Sequence, residues 1–366
     1  MQFWPQRRAD ELNALFQRLA GLNEIYYSFV PSPDTDFLGY FPKDIELELD
    51  RVSQGRLRRV PLAGEHGAQA DIVVLTAHGP NRASEIWELR ERLKPGAIVA
   101  VWLWDNHLGP QFNLQVTLAC DVAFPSHWDD ADYLYNPATL VGSHVPACSA
   151  QWSAASAERL MAETGFGERL HKVLANYVEY HFASRTAILK TLSKEIGEVE
   201  VLMMPAGDRT RYFSMSSADR FAEWTAYKAA LILPVTSDLS TRVFDALLAG
   251  MIPVVPTSIV DFDTVLPPAI QGSLGIVRFD SLDIEAIRHA SCRALEIFDA
   301  MGAEGVQRRH RYAIEHHMLA NRIRLMLDNL LFLASGELTV EFGDGPHGPA
   351  LYQTSRLATA ETMVSD

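Results

Sequence analysis

The stretch Lys228–Val255, KAALILPVTSDLSTRVFDALLAGMIPVV, decides how the rest of the chain is read. Its pattern predicts a buried strand over 229–235, a polar turn, a helix over 241–249, a glycine stop at Gly250 and a second buried strand over 252–256. A strand, a crossover helix and another fully apolar strand are the unit from which parallel sheets are built. In an open parallel sheet the strand C-termini and the following helix N-termini meet at one edge, where exposed backbone N–H groups suit a diphosphate. Ser237, Asp238, Ser240 and Thr241 place hydroxyls and a carboxylate at that edge, and Arg242 adds a permanent positive charge. Asp245 lies four residues past Thr241, on the same helix face, where a carboxylate could accept both ribose hydroxyl protons of a nucleotide. Taken singly, Ser240 or Thr241 also reads as a helix cap, and Arg242 with Asp245 as a surface pair. The combination is more specific than its parts.

Working outward, the same alternation recurs on both sides. The N-terminal half predicts strands over 24–30, 57–61, 71–77, 97–104 and 121–124, with a helix over 82–93 closed by the Pro95-Gly96 turn. Beyond it come a helix and connection over 154–170, a strand over 172–177, a helix over 184–196, a strand over 198–204, a helix over 217–227 and a strand over 275–279. Residues 284 to about 334 read as almost wholly helical. The expected fold class is therefore α/β, two Rossmann-like domains in tandem with parallel sheets and a C-terminal helical closure. Their expected bounds are 1–165 and 166–335, followed by a mobile tail over 336–366 that contains glycine and proline.

A chain of 366 residues is long enough for two cores, and 48% apolar with 21% charged residues describes a globular interior. The 46 acidic against 32 basic residues give a formal charge of −14, which repels phosphate backbones and anionic membranes. No nucleic acid partner is expected. A small anionic ligand remains compatible, because a helix terminus and an arginine or two can hold it. Cys120, Cys148 and Cys292 lack the spacing of a zinc site or a redox dithiol, which fits a reducing compartment, and a cytoplasmic location is expected. The N-terminal MQFWPQRRADELNALFQRL is amphipathic and lacks a secretion signal's apolar core, and no stretch approaches 18 uncharged apolar residues. No integral membrane segment is expected.

The run from Ser240 to Val254, S-T-R-V-F-D-A-L-L-A-G-M-I-P-V, resembles the donor-binding segment of GT-B glycosyltransferases, especially the exostosin-like and group-1 types. The close resemblance spans about 15 residues. It implies a nucleotide-sugar donor as substrate, no cofactor, and a hydroxyl acceptor on a glycan, a lipid-linked glycan or a protein. It also implies that the acid at Asp245 binds the donor ribose and that the hydroxyls and amides before it bind the diphosphate. Arg185 stands where such enzymes enter the C-terminal domain and could reach the donor phosphates. Many retaining members carry a glutamate where this chain has Ser237, so the stereochemical course is not inherited. The segment 316–332 resembles the closing helix of these proteins, with Met318, Ile323, Met326, Leu327 and Leu330 as a stripe for core packing.

The resemblance further implies that the N-terminal domain binds the acceptor and, in inverting members, supplies a general base. Asp105 and His107, directly after the strand at 97–104, rank first as catalytic residues. Ser32-Pro33-Asp34-Thr35-Asp36 and His78-Gly79-Pro80-Asn81 follow two other strands. Trp102, Trp104, Trp128 and Trp152 could serve as sugar platforms, although burial is the commoner fate of tryptophan. The D-x-D patterns at Asp34 to Asp36 and Asp261 to Asp263 read as solvated turns, so no metal site and a metal-independent reaction are expected. Oligomeric state is left open, a homo-oligomer included.

Three other readings compete. The run 71–105 with its LKPG turn resembles the late strands of a methyltransferase, but no G-x-G loop precedes it. The G-x-G-x-x-G spacing of a dinucleotide site occurs only at Gly343, Gly345 and Gly348, with too little chain after it for a strand–helix–strand unit. A non-catalytic nucleotide- or sugar-binding protein that kept the fold is the alternative from another class.

Overall fold

A computed structural model describes residues 4–31, 41–42, 44–61, 67–76, 82–129, 131–179, 184–205 and 214–355. Among them the chain forms two compact units, each built on its own sheet. The first unit takes the described residues of 1–38, 46–146 and 320–355, and the second those of 39–45 and 147–319. The helix at 154–164 thus goes with the second unit and the closing helix with the first, which shifts both boundaries from 165 and 335. Sequence periodicity shows that a helix has an apolar face, not which sheet that face covers.

The first unit begins with α1 (Trp4–Ala20), whose Ala9, Leu12, Phe16 and Leu19 are buried at helical spacing. Its sheet joins β1 (Ile25–Val30), β2 (Leu57–Arg59), β3 (Ile72–Thr76), β4 (Ile98–Leu103), β5 (Val122–Pro125) and β6 (Leu140–Val141). All pairings are parallel, in the order β2-β1-β3-β4-β5-β6. The runs IVVLT and IVAVWL are buried at every position, which is why they read as continuous rather than alternating apolar strands. The helices α2 (Ile45–Asp50), α3 (Arg82–Arg92) and α4 (Pro110–Leu118) fall within this stretch of the chain. Two buried carboxylates pin the N-terminal edge of the sheet: Asp121, just before β5, pairs with Arg8 at 2.8 Å and Arg90 at 3.0 Å, and Asp71, just before β3, pairs with Lys94 at 2.7 Å.

The second sheet joins β7 (Leu170–Val178), β8 (Val199–Met204), β9 (Tyr227–Leu231), β10 (Ile252–Pro256) and β11 (Val277–Phe279), again all parallel, in the order β11-β10-β9-β7-β8. Its helices are α5 (Ala154–Thr164), α6 (Ser184–Glu195), α7 (Ser217–Thr225), α8 (Thr241–Leu248), α9 (Phe262–Val265), α10 (Pro268–Leu274) and α11 (Ile284–His316). The chain leaves β7 through α6 in one direction along the sheet and leaves β9 through α8 in the other. Right-handed crossovers then put α6 and α8 on opposite faces, and the C-terminal ends of β7 and β9 become the point where the winding reverses. From Val243 to Leu248 every residue of α8 is buried, so only its first turn is open. Gly250 stops it at φ 72°, and a Cβ there would stand 2.6 Å from the Val306 side chain, so both conformation and space require glycine. The stretch expected to be almost wholly helical, 284 to about 334, forms α11, kinked at Gly302 (φ 53°), and α12 (Leu319–Ser335). Met318, Ile323, Met326, Leu327 and Leu330 are fully buried, as the core-packing reading expects.

The tail differs from its expectation. Residues 338–355 form an antiparallel hairpin, β12 (Leu338–Gly345) and β13 (Gly348–Ser355), built into the first unit. Gly343, Gly345 and Gly348, the spurious dinucleotide spacing, lie along its strands and tight turn. Its glycines and prolines disguised two short strands as a loop. Asn13 of α1 acts as a substitute strand partner, its side-chain oxygen accepting from the Val340 N–H at 3.0 Å and its amide donating to the Val340 carbonyl at 2.8 Å. Tyr352 stacks on Tyr135 at 5.3 Å, and Asn329 and Gln353 exchange amide hydrogen bonds at 2.9 and 3.0 Å. Asn13→Ala leaves both Val340 groups without this partner and should cost about 1–3 kcal/mol. Urea denaturation checks it, and an unchanged midpoint would mean that the hairpin is held elsewhere.

Candidate functional site

The reversal point of the second sheet gathers the sequence-predicted cations around a residue that the sequence reading gave no role. Tyr177, next to last in β7, donates its hydroxyl proton to the Leu231 carbonyl at 3.0 Å and accepts from the Leu233 N–H at 2.7 Å, tying β7 to the end of β9. Two guanidinium groups lie against its ring, Arg242 at 4.6 Å and Arg185 at 4.8 Å from the centroid. Arg242 also donates through Nε to the Asn176 carbonyl at 2.9 Å, and Arg185 through Nη1 to the Leu233 carbonyl at 3.4 Å. Arg185 is 4% exposed, whereas Arg242 is half-buried and faces what arrives at the first turn of α8. Burial pushes the Tyr177 phenol up, against the pull of both arginines, so it stays a neutral ring between them. The two guanidinium groups concentrate positive charge at this point, partly balanced by the buried Asp238 and Asp245.

The turn before α8 is organised by its own side chains. Asp238 is buried, and its Oδ1 accepts from the Val235 and Thr236 N–H groups. It therefore shapes the loop. Ser240 is the N-cap, its Oγ accepting from the Arg242 N–H at 3.4 Å, as the cap reading expects. Ser237, Ser240 and Thr241 are half-buried and leave hydroxyls at the rim next to the helix N-terminus.

Asp245, the expected ribose ligand, is turned inward. It is 1% exposed, and its two oxygens accept from the Ser149 hydroxyl at 2.7 Å and the Gln151 amide at 2.9 Å. Burial pushes its carboxyl up to about 6, opposed by those two hydrogen bonds and by Arg242 and Arg220. A ribose would have to displace Ser149 and Gln151 to reach it. The carboxylate instead fastens the segment at 149–151 to α8, a partnership across some ninety residues of sequence that spacing cannot show.

In the first unit, the loops after β4, β5 and β6 lie side by side at the C-terminal edge of the sheet. They carry His107, His127 and His144. The His107 and His127 rings meet edge to face at 4.1 Å, and the His107 Nδ1 is buried with no hydrogen-bond partner among the described residues. Burial holds the His127 imidazole well below its usual range, and the two neighbouring histidines add to that. Asp105 is half-buried, and its carbonyl accepts from the Leu108 N–H at 2.9 Å. The buried Asn106 between them rivets the loops: its Oδ1 accepts from the Ser126 and His127 N–H groups at 2.9 and 2.8 Å, and its amide donates to the His127 carbonyl. Trp102, Trp104 and Trp152 are buried and Trp128 is exposed. His127 and His144 were not anticipated; their signal is that each follows a β-strand end by two or three residues.

The stretches 32–36 and 78–81 lie outside the described residues. Asp263 is paired with Arg278 at 2.7 Å and accepts from Gln271 at 2.8 Å, so the second D-x-D is a helix start with an occupied carboxylate. Among the described residues, no group of three or more His, Cys, Asp or Glu is arranged to hold a metal ion, and no helix is long and apolar enough to cross a membrane.

No protein-family model matches the chain, and no curated protein matches it. Solved structures do. The chain is similar to the catalytic domain of starch synthase IV from Arabidopsis thaliana, solved with ADP and acarbose, at 11% identity over 73% of each chain and a TM-score of 0.44. It is similar to an O-GlcNAc transferase mutant from Thermobaculum terrenum, at 12% identity over 86% of this chain and 69% of that one, with a TM-score of 0.47. It is also similar to a UDP-GlcNAc 2-epimerase from Neisseria meningitidis bound to UDP-GlcNAc, at 9% identity over 84% and 99%, with a TM-score of 0.40. All three likenesses are at 12% identity or less and bear on the α/β fold alone.

Proposed function

We propose that the chain is a glycosyltransferase that moves a sugar from a nucleotide-sugar donor to a hydroxyl acceptor. The observation that carries this is the pair of guanidinium groups on Tyr177, at the reversal point of a doubly wound sheet and beside the capped first turn of α8. Arg242, Arg185 and the rim of Ser237, Ser240 and Thr241 would hold the donor diphosphate and stabilise the charge that grows on it as the glycosidic bond breaks. Asp105 and His107 remain the candidates for receiving the acceptor's proton. Those arginines and the helix terminus supply the positive charge that a metal gives other transferases, so the reaction should run without one. Three free cysteines suit a cytoplasmic setting, where an activated sugar would serve polysaccharide assembly.

Calorimetry with UDP, GDP, dTDP and CMP, followed by turnover with the matching sugar nucleotides, tests the reading. One nucleotide should bind, and transfer or hydrolysis should keep its full rate in excess chelator. Binding without turnover of any donor would favour a non-catalytic module instead, and no nucleotide binding at all would remove the reading.

A further inference from the structure

At its C-terminal end, away from the open first turn, α8 meets the later half of α11. The His310 ring nitrogen Nδ1 stands 2.5 Å from the carbonyl of Leu248, the last residue of α8. A carbonyl only accepts, so Nδ1 carries the proton and Nε2 is left as an acceptor. Burial keeps this imidazole below its usual range, opposed by that bond and by Glu158. A helix of eight residues is about 12 Å long, which sets this point well apart from the proposed diphosphate position.

His310 lines a groove of about 380 Å³ formed by α5, the turn after it and α11, within the size range of sites for small organic ligands. The apolar part of the groove is Phe166, 49% exposed, and Ile314, 8% exposed. The turn that presents Phe166 is fixed: the Gly165 N–H donates to the Met161 carbonyl at 2.8 Å, and the Gly165 carbonyl accepts from the buried Arg169 at 2.8 Å. The charged part is Glu158 from α5 with Arg311 and Glu315 from α11. Neighbouring charges are already engaged, Arg159 with Glu163 at 3.3 Å, Arg308 with Glu304 at 2.7 Å and Glu315 near His316 at 4.0 Å. Neither Glu158 nor Arg311 forms an ion pair among the described residues, although both line the one groove. A purely anionic ligand would meet Glu158 and Glu315 here, and a purely cationic one would meet Arg311. A carboxylate and a guanidinium too far apart to pair with each other, beside an apolar wall, match a small ligand that carries both charges and an apolar body.

We propose that this groove binds a zwitterionic α-amino acid with an apolar side chain, Arg311 taking its carboxylate, Glu158 its ammonium, and Phe166 with Ile314 its side chain. The groove lies at the opposite end of α8 from the donor diphosphate, so both ligands bind together, and the assignment does not rest on the transferase reading. Calorimetry on the full chain tests it with L-phenylalanine as the probe, beside phenethylamine, which lacks the carboxylate, 3-phenylpropionate, which lacks the ammonium, and L-alanine, which lacks the ring. One phenylalanine should bind per chain, and each of the other three at least about tenfold more weakly. Arg311→Ala should weaken phenylalanine about tenfold and leave phenethylamine unchanged, with Arg311→Lys restoring part of the loss. Glu158→Gln should weaken phenylalanine and leave 3-phenylpropionate unchanged. Both side chains are exposed, so the melting temperature should not move. A saturating nucleoside diphosphate should leave the phenylalanine affinity in place. No phenylalanine binding, equal binding of a one-charge analogue, undiminished binding in both alanine and glutamine variants, or displacement by the nucleotide would overturn the assignment. Phenylalanine binding by a chain that binds no nucleotide would leave this site standing and remove the transferase reading.

Discussion

Replacing Arg242 by alanine should weaken binding of the preferred nucleoside diphosphate about 100-fold, because a charge-assisted contact to phosphate is removed from the half-buried rim where α8 begins. Arg242→Lys keeps the charge but loses both the planar stack on Tyr177 and the Nε bond to Asn176, and should recover only part of the affinity. The melting temperature should move little in either variant, which separates ligand contact from folding. Equal affinity in Arg242→Ala, measured by calorimetry, would move the diphosphate away from this helix.

The second large effect concerns Asp245. Asp245→Ala would remove the acceptor shared by the Ser149 hydroxyl and the Gln151 amide and leave a cavity in a fully buried part of α8, at a cost of roughly 3 kcal/mol in urea unfolding. The pH dependence carries a definite sign. The folded carboxyl is raised from 3.8 to about 6, so the folded state holds its proton more tightly than the unfolded chain does. That contribution is complete below about pH 4 and is lost as pH rises through 6, a difference of roughly 3 kcal/mol by neutral pH. Asp245→Asn should flatten this fall in stability. The inward carboxylate also predicts that Asp245→Asn binds the nucleoside diphosphate within about threefold of the parent. A hundredfold loss with an unchanged melting temperature would return Asp245 to the ribose.

Much of the fold is written in local pattern. The short, predominantly apolar runs at 72–76, 98–103 and 252–256 read as covered strands and are buried throughout, and the helix from Thr241 ended where Gly250 takes its positive φ. What escaped was long-range. β6 is two residues long, too short for any period to register, and the hairpin at 338–355 hid behind its glycines and prolines. In the candidate site the sequence placed Arg185 and Arg242 near phosphates from the resemblance and from helix position. It had no means of showing that both stack on Tyr177, because that meeting depends on β7 lying next to β9. The inward turn of Asp245 depends in the same way on Ser149 and Gln151, far away along the chain. An acid one turn into a helix reads identically from sequence whether it faces ligand or core.

On the proposed reading the donor diphosphate sits at the reversal point of the second sheet. A crystal structure of the chain with its preferred nucleoside diphosphate tests it directly. Phosphate oxygens should lie within about 3 Å of the Arg242 guanidinium and of the backbone N–H groups that open α8. A nucleotide bound elsewhere, with Arg242 still stacked on Tyr177 and free of phosphate, would contradict it.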